Sequence, residues 1–221
     1  GHILEIGTYC GYSSVRMAIA LPGVRIETLE LNPVFVVIAR SIVLLAGLAE
    51  AIDVWTGHSR AVLPRLAAGA CSAGRRSGFG AVFMDRWGSQ YTEDLDLLEE
   101  HDLLPPGAVI VADNVLRTGA PLLLWRAVRG GGFTSHVVSA REHGLASEDW
   151  LLVGVRQQGL RRPLEPPLEL LELHAASERR REWAVGAGRG ATLAERAVFA
   201  DEVRASLARS GISSTVDSLG S

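Results

Sequence analysis

The chain has 221 residues, of which 48% are hydrophobic and 21% charged, with a formal net charge of −3. That composition excludes disorder and suffices for one α/β domain with an appendage, while so small a charge gives no electrostatic case for nucleic acid or an anionic membrane as partner. All 22 basic residues are Arg, and two cysteines, Cys10 and Cys71, are too few for a disulfide framework and fit a reducing compartment.

The chain opens on Gly-His directly before an apolar run, Ile3 to Ile6, with no Met and no visible signal peptide, so a fragment of a cytoplasmic protein is expected. This first strand ends in a glycine-bearing turn, Gly7 to Gly11. A helix follows, with Ser13 or Ser14 expected as its cap. Val24 to Leu29 reads as a second strand ending on Glu30, and Pro33 opens a helix to about Gly47. The run Val34 to Ala49 is interrupted by Arg40 and is read as a buried amphipathic helix, not a membrane span. Ile52 to Trp55 is a third strand, followed by a helix through Leu66 and a Gly/Ala/Ser/Arg-rich surface loop from Ala67 to Gly80.

Ala81 to Met84, ending at Asp85, is a fourth strand and Glu93 to His101 a helix. Ala108 to Ala112, ending at Asp113, is a fifth strand, and Pro121 to Val128 a helix. Two further β runs, Phe133 to Val138 and Trp150 to Val155, are expected to close the sheet as an antiparallel pair. Strands alternating with helices predict a mostly parallel, seven-stranded sheet with helices on both faces. The domain is placed at residues 1–157. Residues 158–221 are a Pro-containing linker and two helices, the second opened by the capping box Thr192/Glu195 and stopped by Gly211. This tail shows no chemistry and is expected to be a solvated, loosely packed extension, with a docking or oligomerisation helix pair as the alternative.

In such sheets ligands sit at the carboxyl ends of strands, and there the chain carries Glu5 and Gly7, Glu30, Gly57 to Ser59, Asp85, and Asp113 with Asn114. Tyr9 stands where a dinucleotide turn needs glycine, so the turn suits a nucleoside carrying an amino acid rather than a pyrophosphate, and an NAD-dependent dehydrogenase is disfavoured. Glu30 can accept from both ribose hydroxyls. Asp85, Asp113 and Asn114 offer three hard oxygens from two strand ends, a set that suits Mg²⁺.

Glu5 to Ala18, Glu30 to Pro33, Ala46 to Leu48, Gly57 to Ser59, Val82 to Trp87 and Ala112 to Val115 closely resemble, in order and spacing, the motifs of catechol O-methyltransferases. The resemblance runs from Ile3 to about Val155. It implies a Rossmann-like methyltransferase fold, S-adenosylmethionine and Mg²⁺ as cofactors, and a catechol-like small molecule as substrate. By the same resemblance Glu5, Gly7, Tyr9, Ser13, Glu30, Leu31, Ser59 and Arg86 line the cofactor pocket, with Glu30 on the ribose and Ser59 near the adenine. Asp85, Asp113 and Asn114 hold the metal. Trp87 packs on cofactor or substrate, and Glu142 bonds the second catechol hydroxyl.

Three features depart from the family pattern. Its lysine base, three residues after the first metal aspartate, is here Gly88; a proline after the Asp-Asn pair is here Thr118; and the family's N-terminal helices have no counterpart. His58 or His143 could take the proton instead, and a lysine placed at 88 is expected to raise the rate. The alternative expectation is a catalytically impaired module that binds cofactor or metal without efficient turnover. Oligomeric state is left open.

Overall fold

Parallel strands buried on both faces read as continuous apolar runs, because helices cover each side. Ala81–Met84 (β4) is wholly of this kind, and His2–Ile6 (β1) is so apart from His2 and Glu5; Leu4, Ile6, Val82 and Met84 are all essentially inaccessible. The computed structural model describes residues 1–72, 78–141, 148–159, 164–187 and 191–214. Its seven strands form one sheet in the order β3-β2-β1-β4-β5-β7-β6. The remaining strands are Arg25–Glu30 (β2), Ile52–Thr56 (β3), Val109–Ala112 (β5), Phe133–Arg141 (β6) and Glu148–Arg156 (β7). β1 pairs in parallel with β2 and β4, and β2 with β3, whereas β6 and β7 form an antiparallel ribbon from Phe133↔Arg156 to Arg141↔Glu148. The order reverses between β1 and β4. An open sheet places its ligand crevice at such a reversal, at the carboxyl ends of the strands.

The chain divides into two compact units, Gly1–Arg86 with Glu93–Ile110, and Trp87–Thr92 with Val111–Ser221. In the first unit, Tyr12–Ala20 (α1) starts from Gly11 with no side-chain cap. Ser13 and Ser14, expected at that cap, lie inside the helix, where both hydroxyls donate to Glu5. Pro33–Leu45 (α2) is capped by Asn32, whose side chain accepts from the Val34 amide 3.0 Å away. Its Val36, Ala39 and Val43 pack with Ile3, Ala18, Ile26, Ile52 and Val54. Its other face is bare: Val34, Val37, Leu44 and Leu45 are each more than 60% exposed, against the expectation of a buried helix. Ser59–Ser72 (α3) runs six residues past Leu66 in spite of Pro64, so Ala67 to Ser72 is helix and not loop. Tyr91–Glu100 (α4) closes this unit's elements from Glu93 on.

In the second unit, Pro121–Arg129 (α5) follows Ala120, and the tail folds as Leu168–Ala187 (α6) and Leu193–Arg209 (α7). The capping box forms as expected: Thr192 accepts from the Glu195 amide while Glu195 accepts from the Thr192 amide at 2.8 Å. The tail is not loosely packed. Leu170, Phe199, Ala200, Val203, Leu207 and Ile212 are buried, and Arg180 stacks 4.1 Å from the Phe199 ring. Ser177 of α6 lies over Gly119, where a Cβ would come within 2.2 Å of its hydroxyl and 2.8 Å of the Phe199 ring. With φ at +69° as well, residue 119 has to be glycine for two reasons.

Candidate nucleoside and metal sites

The turn after β1 is built around one buried carboxylate. Glu5 is fully inaccessible, and its two oxygens take hydrogen bonds from Ser13, Ser14 and Thr28. Loss of water raises its pKa above the usual 4.5, against the three hydroxyls, which favour the charged form. Such a group stabilises the fold while protonated, below about 4.5, and that contribution is lost as pH climbs through the higher folded value. Glu5→Gln is therefore expected to flatten the stability profile. In urea unfolding, the parent's midpoint should fall relative to the variant's as pH rises above about 4.5; a difference independent of pH would refute this. Glu5 thus shapes the turn from beneath, a role beside the pocket-lining one its motif implies.

Gly7 lies at the reversal of strand order. The Asp85 amide donates to Ile6 O at 2.9 Å, and a Cβ on residue 7 would stand 2.1 Å from Asp85 O. The amides of Gly7 and Thr8 both donate to Leu29 O, which draws the turn against the end of β2. There Glu30, the last residue of β2 and half-buried, accepts from the Tyr9 amide through Oε2 at 2.8 Å and from the Asn32 amide through Oε1 at 2.7 Å. A carboxylate has about four acceptor positions. Two fixed amides orient it and leave one further lone pair on each oxygen, which suits a vicinal diol. Tyr9 itself is in the left-handed region (φ 48°), exposed, with its ring 4.5 Å from Phe35. Leu31 is exposed beside it.

The ends of β3 and β4 meet through Arg86. Its guanidinium donates to both oxygens of Asp94 (2.7 and 2.5 Å), reaches Ser59 Oγ at 3.3 Å and stands 3.4 Å from His58 Nε2. Asp94 is inaccessible, and burial raises its pKa although Arg86 and Ser59 oppose the shift. Burial first and Arg86 second lower that of His58, so its imidazole is neutral at pH 7. Ser59, buried at the start of α3, and Arg86 are thus brought together. Asp94, on which the arrangement depends, was missed. In the first turn of a helix an acid reads as an ordinary partner of the helix dipole.

Asp85 follows β4 directly in the first unit, and Asp113 and Asn114 follow β5 directly in the second. Asn114 adopts a left-handed backbone (φ 55°), its amide donates to Asp113 Oδ1 at 2.7 Å, and its Nδ2 donates to Asp149 at 3.1 Å. With the nitrogen engaged, the hard ligand end of that amide, Oδ1, is turned away from Asp149. Tyr91, wholly buried, donates to Asp113 O. Asp149 is the second carboxylate the sequence did not signal. Buried at the start of β7, it accepts from Arg117 Nε at 2.6 Å and from the amides of Leu116 and Arg117. A strand read as starting at Trp150 left it outside. Among the described residues no group of three or more His, Cys, Asp or Glu could hold a metal; the expected set holds two such residues and an amide.

Trp87 is half-buried and starts the short 3-10 turn Gly88–Gln90. The amide of Gly88 donates to Thr118 Oγ1 at 3.0 Å, and that hydroxyl donates to Asn114 O at 2.7 Å. A Cβ on residue 88 would lie 2.6 Å from the same hydroxyl. The two departures at 88 and 118 are therefore coupled: the threonine hydroxyl is the nearest obstacle to a side chain at 88, with Ala120 Cβ at 3.1 Å and Gly119 C at 3.2 Å beside it. Glu142 and His143 lie outside the described residues.

With this geometry in hand, the likenesses of the chain are informative. A family profile described as O-methyltransferase matches residues 1–123. Catechol O-methyltransferase of Bos taurus is 39% identical over 167 residues, covering 74% of this chain and 59% of that protein. Catechol O-methyltransferase of Sus scrofa is 44% identical over 131 residues, 59% of this chain and 68% of that one. Among solved structures, an O-methyltransferase of tomaymycin synthesis from Streptomyces achromogenes, in complex with SAM, matches with a TM-score of 0.60 at 27% identity over 71% of this chain and 73% of that one. The chain thus spans about three-fifths of the bovine relative.

Proposed function

The chain belongs to the O-methyltransferase family, and from that premise we propose that it methylates one hydroxyl of a catechol-like small molecule, with S-adenosylmethionine as donor and Mg²⁺ as the ion that positions the acceptor. The observation that carries this reading is Glu30: a half-buried carboxylate oriented by the Tyr9 and Asn32 amides, beside the Gly7–Gly11 turn at the reversal of strand order. That is the anchor a ribose diol requires. It holds the nucleoside, while Glu5 keeps the turn in shape and Ser59 and Arg86 line the base end.

Asp85, Asp113 and Asn114 would hold Mg²⁺; the donor chemistry fits, since all three present oxygen and Asp149 fixes which end of the Asn114 amide is turned out. When bound, the ion orients a dihydroxy aromatic and lowers its hydroxyl pKa, and the cofactor supplies an electrophilic methyl. The transfer would balance with the acceptor O–H proton passing to solvent, since Gly88 offers no base, and with the new O–C bond replacing the donor's S–C bond so that S-adenosylhomocysteine is released. Alignment of donor and acceptor is the larger part of such catalysis. No described helix is long and apolar enough to cross a membrane.

A second reading, a module that binds without efficient turnover, is favoured by one observation: at residue 88, Thr118 leaves no space for a proton-accepting side chain. A missing general base commonly lowers rate by about 10²- to 10⁴-fold. Calorimetry with S-adenosylmethionine and a labelled-methyl assay on dihydroxy aromatics, each with and without Mg²⁺, separate the two. Metal-dependent label transfer that Asp113→Ala abolishes is expected; binding without transfer would establish the second reading, and no binding would sink both.

A further inference from the structure

A helix apolar all round its circumference is ordinarily buried, yet α2 has only one covered face. Opposite Val36, Ala39 and Val43, the exposed positions Val34, Val37, Ile38, Ile42, Leu44 and Leu45 recur at helical spacing with Ser41 in their midst. Of nineteen exposed large hydrophobic residues in the described chain, eleven fall between Tyr9 and Leu45. We propose that this face of α2 is the contact between two copies of the chain, the helices packing antiparallel across a two-fold axis.

Three properties favour a second copy over other occupants. The six side chains expose on the order of 600 Å², at the upper end of what a monomer's surface usually leaves bare, so that a symmetric pair would bury about 1,200 Å², at the lower edge of stable interfaces. The face is also uncharged: α2 has no acid in its first turn and no base in its last. Its one ionic residue, Arg40, donates to Val54 O at 2.7 Å. The exposed Arg40 flanks the face beside Leu44, so the six apolar positions themselves carry no charge to repel their own image and no cluster of cations for anionic lipid headgroups. Finally, Ser41 donates to Val37 O at 2.8 Å, so burying it strands no hydroxyl, and its small size lets two helices approach closely where they cross. Positions 34, 37, 41 and 44 give the three-four alternation of a helix-pairing seam.

Sedimentation velocity of the 221-residue chain between about 1 and 100 µM is expected to show a monomer–dimer equilibrium. Val37→Glu should weaken it at least tenfold with an unchanged circular dichroism spectrum, whereas Val198→Glu, an exposed apolar site on α7, should not affect it. As an independent readout, Ser41→Cys should form an interchain disulfide under mild oxidant when the parent does not. A chain that stays monomeric at 100 µM overturns the proposal, as does a dimer indifferent to Val37→Glu. So does a monomer that sediments with phosphatidylcholine–phosphatidylserine vesicles, which would assign the face to a lipid surface.

Discussion

Asp149→Ala is expected to destabilise the chain by about 3–5 kcal/mol, the usual effect of leaving one member of a buried ion pair alone. The side chains of Arg117 and Asp149 are 9% and 4% exposed, so water cannot replace the lost carboxylate. The amides of Leu116 and Arg117 and the Asn114 Nδ2 lose their acceptor as well. Urea unfolding measures the loss, and a midpoint equivalent to less than about 1 kcal/mol from the parent would disprove the assigned role. Asp149→Asn, which keeps an acceptor but not the charge, should fall between. If the proposed Mg²⁺ site holds, even the milder variant should weaken binding of the ion measured in the folded range, because Asp149 holds the Asn114 amide.

The second large effect concerns residue 88. Gly88→Lys alone is expected to cost about 1–3 kcal/mol, as overpacking does, and to give little activity, because its Cβ would meet Thr118 Oγ1 at 2.6 Å. Thr118→Ala alone should be mildly destabilising, since the Gly88 amide loses its acceptor. The pair together should be more stable than the sum of the singles, with a coupling of about 1–2 kcal/mol in a double-mutant cycle. If the proposed methyl transfer holds, the double variant should turn over at least about a hundredfold faster than the parent. Strictly additive stabilities would show that the hydroxyl is not what excludes a side chain. A lysine restored at 88 by itself, the remedy the sequence suggested, ignores what fills its place.

What the sequence showed and what it hid follow a physical division. Strand ends were legible because period, length and glycine punctuation are local: Asp85 and Asp113 each come directly after a strand, and Glu30 ends one, as expected. The antiparallel β6–β7 ribbon and the Thr192 capping box were legible for the same reason. The carboxylates that brace the site were not, because their partners are distant in sequence: Asp149 lies 35 residues from Asn114. Ser13 and Ser14 looked like caps because composition alone cannot reveal a buried Glu5 within reach. The α2 face misled for the opposite reason. Its pattern was read correctly as apolar, but pattern does not say whether the cover is this chain or another.

Asn114 answers three demands in one residue: a left-handed backbone that few side chains tolerate, an amide nitrogen for Asp149, and an oxygen at the end of β5. Two of those demands concern folding and would persist in a descendant that had lost all chemistry. Should relatives prove invariant here, that invariance would mark architecture at least as much as activity, and catalytic competence would be better judged at position 88, where the backbone imposes no such condition.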